Sequence, residues 1–448
     1  MAMIIISAII LACGLVGVAL SIRHNARFEG KGKVFVALAS IFTVLAMCFL
    51  CFSVNWYIHK LREVPVWNAE LNGFHENVHF ENGDVYTGEF VNGLMHGDGT
   101  LNYADGSVYT GQFENNLRSG SGEYTDFTGY VYTGSWKSDL MSGEGVYVFL
   151  NGDVYTGNFN DGIIDGEGVM RFVSGDIYEG EFFNSVITGE GKYSFANGDV
   201  YEGEFRDDVR CGKGKFTSAS GNVYDGEWKD DMQNGIGAYT DITGWSYDGE
   251  WTDNYIDGLG KIVYANGETY DGEYVMGVRC GKGTYTYSDK SVYSGNWEND
   301  RKNGNGILTS NQGFKYDGAW VDGQKSGKGK YTFEDGSVYT GDFKDDRENG
   351  YGVLVSSEGW KYEGNWANGM RNGKGKITYT DTSYYDGDWK NNEKEGYGTH
   401  TYFDKNLKYV GKYVGQFKSG MRNGTGVFTY GNGVVQDGKW IDDKFIEE

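Results

Sequence analysis

From residue 83 onward, aromatic, glycine and polar positions follow a fixed beat. With Tyr86 as position 0, tyrosine returns every 23 residues, as Tyr109, Tyr132, Tyr155 and onward to Tyr385. Glycine follows at +2 and an aromatic at +4, as in Gly88 and Phe90. A second run occupies +11, +13, +15 and +17: Gly97, Gly99, Leu101 and Tyr103. Residues two apart share a face of a strand, so each run predicts one strand. Turn signals separate the runs, Asn92-Gly93 at +6/+7 and Asp105-Gly106 at +19/+20, or Asp207-Asp208, Asn368-Gly369, Asn151-Gly152 and Asn266-Gly267 elsewhere. A period of two broken by a turn about every dozen residues predicts hairpins rather than helices. Each unit is one hairpin, and the units join in an antiparallel meander. After Tyr385 the spacing slips to 28 residues, reaching Tyr413, Gly415 and Phe417, with "DKNLK" (404–408) in the inserted region. A half-copy ends at Gln436, Gly438 and Trp440.

The first 63 residues have another pattern. Residues 1–22, "MAMIIISAIILACGLVGVALSI", and 34–57, "VFVALASIFTVLAMCFLCFSVNWY", are apolar runs. A helix needs about 20 residues to span a hydrocarbon core, so both read as transmembrane helices. The first run lacks the basic n-region and small-residue cleavage site of a secretion signal. Trp56 and Tyr57 suit the membrane interface. The expected organisation is transmembrane helix 1 (1–22), a basic loop (23–33), transmembrane helix 2 (34–57), a linker and N-terminal cap (58–82), the repeat array (83–440) and a C-terminal tail (441–448). The fold class is mostly β: an elongated, twisted antiparallel β-hairpin array of about 16 units, preceded by two α-helices.

A register follows from the pattern. If +4 faces +11, +2 faces +13 and 0 faces +15, each aromatic lies opposite a glycine or another large residue, and the ring can lie over bare backbone. Gly235, at +11, is then expected beneath a ring. On the other face, +3 is mostly acidic or amide and +12 and +14 often carry lysine, and the register would oppose Glu204 to Lys213, Glu202 to Lys215, Glu273 to Lys282, Asp248 to Lys261, Asp317 to Lys330 and Glu363 to Lys376. Such exposed pairs are worth a few tenths of a kcal/mol each, roughly. Five copies carry Asp126, Ser218, Asp241, Ser310 or Ser356 instead of an aromatic at +17. In four of them an aromatic stands at +21, as Tyr130, Trp245, Phe314 or Trp360. The exchange reads as conserved packing volume, with a periodic binding ridge as the alternative.

The pattern Tyr-x-Gly-x-[Phe/Trp]-x-x-Gly-x-x-x-Gly-x-Gly closely resembles the MORN repeat (membrane occupation and recognition nexus) over residues 83–440. The resemblance implies stacked β-hairpins that serve as scaffolds at membranes, as membrane-contact tethers, or as accessory regions of lipid kinases and lysine methyltransferases. With repeats running almost to Glu448, no attached catalytic domain is expected.

Composition agrees with a folded array: aromatics make up 16% of the chain, where disordered segments have few. Glycine-lysine runs such as "CGKGKF" lack the Ser or Thr that follows Gly-Lys in a phosphate-binding loop. His75 and His79 are four apart without the Glu of a zinc-protease motif, and acidic turns such as Asp230-Asp231 do not fit an EF-hand. Cys211 and Cys280 share a repeat position three units apart, about 29 Å at two strands per unit, too far for a disulfide. They read as turn residues, with reactive thiols as the alternative. The Asn423-Gly424-Thr425 sequon falls on a repeat glycine. No catalytic, cofactor-binding or metal residue is expected, and no binding residue is assigned.

Charge sets partner and side. Residues 1–63 hold six Lys/Arg and two Asp/Glu, and the remainder 34 and 61, a net of −27. Such a surface is repelled by anionic lipid and nucleic-acid phosphate. Arg23, Arg27, Lys31 and Lys33 lie between the spans, against Lys60 and Arg62 after them, which favours a cytosolic loop and extracytoplasmic repeats. The cytosolic habit of similar proteins points the other way. The function expected is a two-pass, membrane-anchored, non-enzymatic scaffold for protein–protein interaction. A lipid-binding or membrane-contact tether comes second and an enzyme-associated accessory subunit third. Expected partners are the membrane through residues 1–57, an unidentified protein and, as a further candidate, phospholipid, but not nucleic acid.

Overall fold

The computed structural model describes residues 71–446. The two expected spans, the loop between them and residues 58–70 lie outside the described residues. No helix among the described residues is long and apolar enough to cross a membrane. Every regular element described is a strand.

The chain divides into two compact units, the first running to Ile242 and including 252–254, the second comprising 243–251 and 255 onward. In the first, β1 (Gly73–His79) pairs antiparallel with β2 (Val85–Val91), β2 with β3 (Leu94–Asn102) and β3 with β4 (Val108–Glu114). The same alternation of seven- and nine-residue strands continues to Val223–Lys229 and Met232–Thr240. In the second unit it runs from Tyr255–Val263 to Lys444–Ile446. Strands thus lie in the stretches assigned to cap and tail. The five extra residues lengthen one hairpin: Glu393–Phe403 and Tyr409–Lys418 add the rungs Tyr402↔Gly411 and Phe403↔Tyr409.

Both turn types follow from residue chemistry. At +6/+7 both residues are left-handed, as in Asp207 (φ 50°) and Asp208 (φ 65°), the type I′ geometry that matches strand twist and that Asn, Asp and Gly tolerate. At the other end Tyr103 N–H donates to Ser107 O (2.8 Å) and Gly106 N–H to Tyr103 O (3.0 Å), closing a turn on a left-handed glycine.

The expected register holds for half of each hairpin. Tyr86 faces Leu101 and Gly88 faces Gly99, but Phe90 then faces Met95 rather than Gly97. Residues 96–98 bulge opposite Glu89 alone, and the shift recurs from hairpin to hairpin. The expected +4/+11 partnership forms instead between consecutive copies, Gly97 with Phe113.

The glycines therefore have two jobs. Those at +2 and +13 lie under the tyrosine of their own copy: a Cβ on Gly99 would stand 2.5 Å from Tyr86 Cζ. Glycines at +11 have positive φ and form the bulge. Gly235 (φ +69°) is covered by the Glu227 carboxylate and not by a ring, which corrects the expectation for it. The core is a ladder of rings on one face. Tyr86 meets Phe90 and Phe113 edge-on at 5.1 Å each, and the tyrosines at position 0 are at most 1% exposed.

Positions +17 and +21 face each other across the turn, Asp126 N–H donating to Tyr130 O (2.9 Å). A ring at either place fills the same slot against the next copy: Tyr103 meets Tyr124 at 6.0 Å, and Tyr130 stacks on Tyr147 at 5.3 Å. Packing volume accounts for the exchange. A polar +21 residue latches turn to turn, as where Ser107 Oγ accepts Phe127 N–H (3.1 Å) and Asp153 Oδ1 accepts Val173 N–H (2.7 Å).

Candidate functional site

Because the sequence designates no catalytic group, the two faces of the array are the candidate site. On the charged face, Glu202↔Lys215, Asp317↔Lys330 and Glu363↔Lys376 stand opposite one another, as the register requires. The ion pairs nevertheless form elsewhere: Lys192–Glu202 (3.3 Å), Lys328–Asp342 (2.7 Å) and Lys374–Asp388 (2.6 Å) join consecutive copies, and Glu363 pairs with Lys361 of its own strand (2.8 Å). Glu204 and Glu273 do not reach the ammonium groups expected for them. They accept the backbone N–H of Lys213 and Lys282, both at 2.9 Å. Gln112 and Gln416 do the same for Ser121 and Thr425. The bulge strands an amide that needs a partner, and an acid or amide at +3 supplies it. In "CGKGKF" the Lys213 amide that a phosphate would need is therefore occupied by a carboxylate.

On the ring face each bulge also frees the +3 carbonyl. Tyrosine hydroxyls take it, from Tyr316 to Ala319 O at 2.8 Å to Tyr270 to Glu273 O at 3.3 Å. Burial pushes these phenols up, Tyr132 and Tyr413 to about 12.

A second recurring device escaped the sequence reading. Arg118, Arg210, Arg279, Arg371 and Arg422 occupy +9, and each guanidinium lies 4.1–4.6 Å over the tryptophan ring at +4 of the next copy. Arg210 Nε and its backbone N–H both donate to Asp231 Oδ1 (2.9 and 3.0 Å), while Nη2 donates to Asp231 O (2.9 Å). The tryptophan Nε1 donates back to a +13 glycine carbonyl, Trp228 to Gly214 O at 2.9 Å. A signal was present: every +9 arginine is followed 18 residues later by tryptophan.

The other residues weighed earlier are dispersed. His75 meets Phe90 edge-on at 5.7 Å, and its Nε2 is 3.2 Å from Asn72 O, while His79 ends β1. Cys211 and Cys280 are half-buried free thiols whose pKa burial pushes up, which opposes thiolate chemistry. Asp230 and Asp231 form a turn, Asp231 holding Arg210. Asn423 Nδ2 donates to Asp442 Oδ1 at 3.0 Å. Besides the phenols, two sites titrate well away from ordinary values. Burial raises Asp208 to about 6 although it accepts Ile187 N–H (2.8 Å). Burial, then Lys394, lowers His400 to about 3, and burial lowers Lys394 to about 8, with Lys394 Nζ 3.3 Å from His400 Nδ1.

Comparison with known proteins fits this geometry. The MORN repeat family model matches fifteen times between residues 86 and 435, the first copy at 86–108 and the last at 413–435. No curated protein matches the sequence. Among solved structures, the TCP domain of Drosophila melanogaster SAS-4 (dCPAP), in complex with a proline-rich motif of Ana2 (dSTIL), is 16% identical, with 34% of this chain and 82% of that one covered and a TM-score of 0.23. The TCP10 domain of Danio rerio CPAP with a STIL peptide is 14% identical, covering 62% and 96%, TM-score 0.16. A streptogramin B lyase is 11% identical, covering 59% and 87%, TM-score 0.11. Superpositions this poor carry no argument about fold or partner. The tyrosine–glycine–aromatic hairpin and the family match, which covers most of the sequence, together place this chain in the MORN repeat family.

Proposed function

We propose that this chain is a membrane-anchored, non-enzymatic scaffold that presents its repeats to protein partners. One observation carries the reading: the recurring chemical groups are consumed within the array. Tyrosine hydroxyls satisfy carbonyls, +3 acids satisfy amides, and arginines at +9 clamp successive copies. What repeats on the outside is an acidic surface, not a convergent set of acids, bases and nucleophiles. The −27 net charge beyond residue 63 disfavours nucleic acid and anionic lipid as direct partners. Anchoring rests on residues 1–22 and 34–57, and four basic residues between them against two beyond favour extracytoplasmic repeats.

Two measurements test this. A Lys405→Cys variant, at an exposed turn, should be labelled in intact cells by a membrane-impermeant maleimide; labelling only after permeabilisation reverses the orientation. Repeats freed of residues 1–63 should not float with anionic vesicles. Flotation would favour the lipid tether.

A further inference from the structure

From Arg279 to Arg422, six of seven consecutive +9 positions are cationic: Arg279, Lys302, Lys325, Arg371, Lys394 and Arg422, interrupted by Glu348. In the first unit the same row reads Met95, Arg118, Met141, Ile164, Ile187, Arg210 and Gln233. Arg118, Arg210, Arg279 and Arg422 each hold an aspartate of the following copy. The four between do not. Arg371 Nε meets the neutral Asn392 Oδ1 at 3.4 Å, and Lys394 meets an imidazole that burial keeps neutral. Lys302 Nζ stands 4.3 Å from the Trp320 ring centroid, and Lys325 Nζ 4.6 Å from that of Tyr331. Asp346 Oδ1 is turned to the Lys325 amide (2.8 Å). All four cations are half-buried on the ring face. Asp346 acts on Lys302 and Lys325, Glu348 on Lys325 and Asp443 on Lys394 only without ion-pair contact. Partial burial without a carboxylate in contact is a cost the acidic remainder of the chain could easily have offset.

We propose that this row is a docking strip for an acidic, extended segment of a protein partner, lying across the strands. Its carboxylates face Lys302, Lys325, Arg371 and Lys394, and a basic or neutral residue faces Glu348. The spacing suits such a segment. Two strands per copy at about 4.8 Å put successive +9 positions about 9.6 Å apart, and three residues of extended or polyproline chain cover about 9–10 Å. A carboxylate at every third residue therefore stays in step with the row. The half-buried rings of Tyr331 and Tyr379 offer apolar contact to the residues between. A polyphosphate backbone or an anionic membrane has no means of reversing its charge opposite Glu348, which is why a protein segment is favoured. The proposal rests on the scaffold reading and names its partner class.

The test uses the full chain in detergent and a fluorescent peptide with glutamate at its first, fourth, tenth and thirteenth residues and lysine at its seventh. A peptide of the same composition with its charges grouped is the control. Fluorescence anisotropy should show the spaced peptide binding at least tenfold tighter, with affinity falling as salt rises. The double variant Lys302→Met/Lys394→Met, which keeps the apolar stems, should lose at least tenfold. Glu348→Lys should reverse the preference in favour of a peptide with glutamate at the seventh residue, a gain that misfolding cannot mimic. Equal binding of spaced and grouped peptides, an unchanged double variant, or no reversal in Glu348→Lys would overturn the proposal. So would anionic vesicles that compete as well as the peptide. If wild type and double variant capture the same proteins equally from native membranes, the scaffold reading stands and this one falls.

Discussion

Gly352→Ala tests the packing logic most directly. Gly352 lies at +13 with Tyr339 over it, and an added Cβ would stand 2.5 Å from Tyr339 Cε2. Ordinary contact begins about 1 Å farther out, so ring or strand must move by about that much. The ring has nowhere to go. It is fully buried, with Phe343 edge-on at 5.1 Å and Trp366 at 5.2 Å. Moving it also pulls its hydroxyl from Asp342 O, 3.0 Å away. Overpacking of this kind costs about 1–3 kcal/mol, and the stretched hydrogen bond adds about 1. A total near 3 kcal/mol should lower amide protection in residues 338–378 by about a hundredfold in hydrogen exchange read by mass spectrometry. Residues 86–240 should be unchanged, because repeat arrays couple chiefly to nearest neighbours. Gly350→Ala, two residues earlier, is the control. Its φ of +84° makes it costly through the backbone, about 1–2 kcal/mol, whatever Tyr339 does. Adding Tyr339→Val should therefore relieve part of the Gly352→Ala cost and none of the Gly350→Ala cost. If Tyr339→Val leaves both costs unchanged, the ring does not depend on bare backbone and the argument fails.

Other outcomes follow from the same contacts. Tyr316→Phe should leave Ala319 O without its 2.8 Å donor and lower local stability by about 1–3 kcal/mol, seen as faster exchange near residues 315–332. Arg210→Lys keeps the charge but loses the forked contact to Asp231 and the stacking on Trp228. It should cost about 1–2 kcal/mol and sensitise residues 209–232 to protease, and full resistance there would refute the clamp. Asp208, raised to about 6, gives stability that is complete below its unfolded pKa near 4 and lost as pH rises through 6. Asp208→Asn, which copies Asn116, Asn254 and Asn392 at the same position, should flatten the pH dependence of local exchange and stabilise at pH 7. His400, lowered to about 3, works in the opposite sense: its contribution is present above about 6.5 and lost as pH falls towards 3. Its imidazole should stay neutral at pH 5 by NMR.

Strands, turns and the buried tyrosine row were legible because each is specified within a few neighbouring residues. The register was legible only as far as the bulge. Residues 96–98 against Glu89 shift the pairing by two, and a shift of two leaves every side chain on its original face. Alternation of apolar and polar residues is blind to such a change. The +3 acids Glu204 and Glu273 were consequently assigned to lysine ammonium groups when their partners are amides, while Asp342 and Asp388 reach lysines of the preceding copy. The arginine–tryptophan clamp was missed because its members belong to different copies. The exchange of aromatics between +17 and +21 was readable because the two positions face each other across one short turn.

The way neighbouring copies are fastened also governs how the gene can change length. Rings, turn latches and arginine clamps each connect one copy to the next at a fixed offset. Excising 23 residues, such as 155–177, would bring Tyr178 and its partners into the places vacated by Tyr155. Excising 22 would turn every downstream side chain to the opposite face. The array is therefore free to gain or lose material only in whole copies, with one kind of exception. Residues 404–408 sit at a turn end, where added residues lengthen two partner strands together and every later rung stays in step. Variants of natural or engineered length should have their irregular insertions at that edge, and their deletions in multiples of one copy.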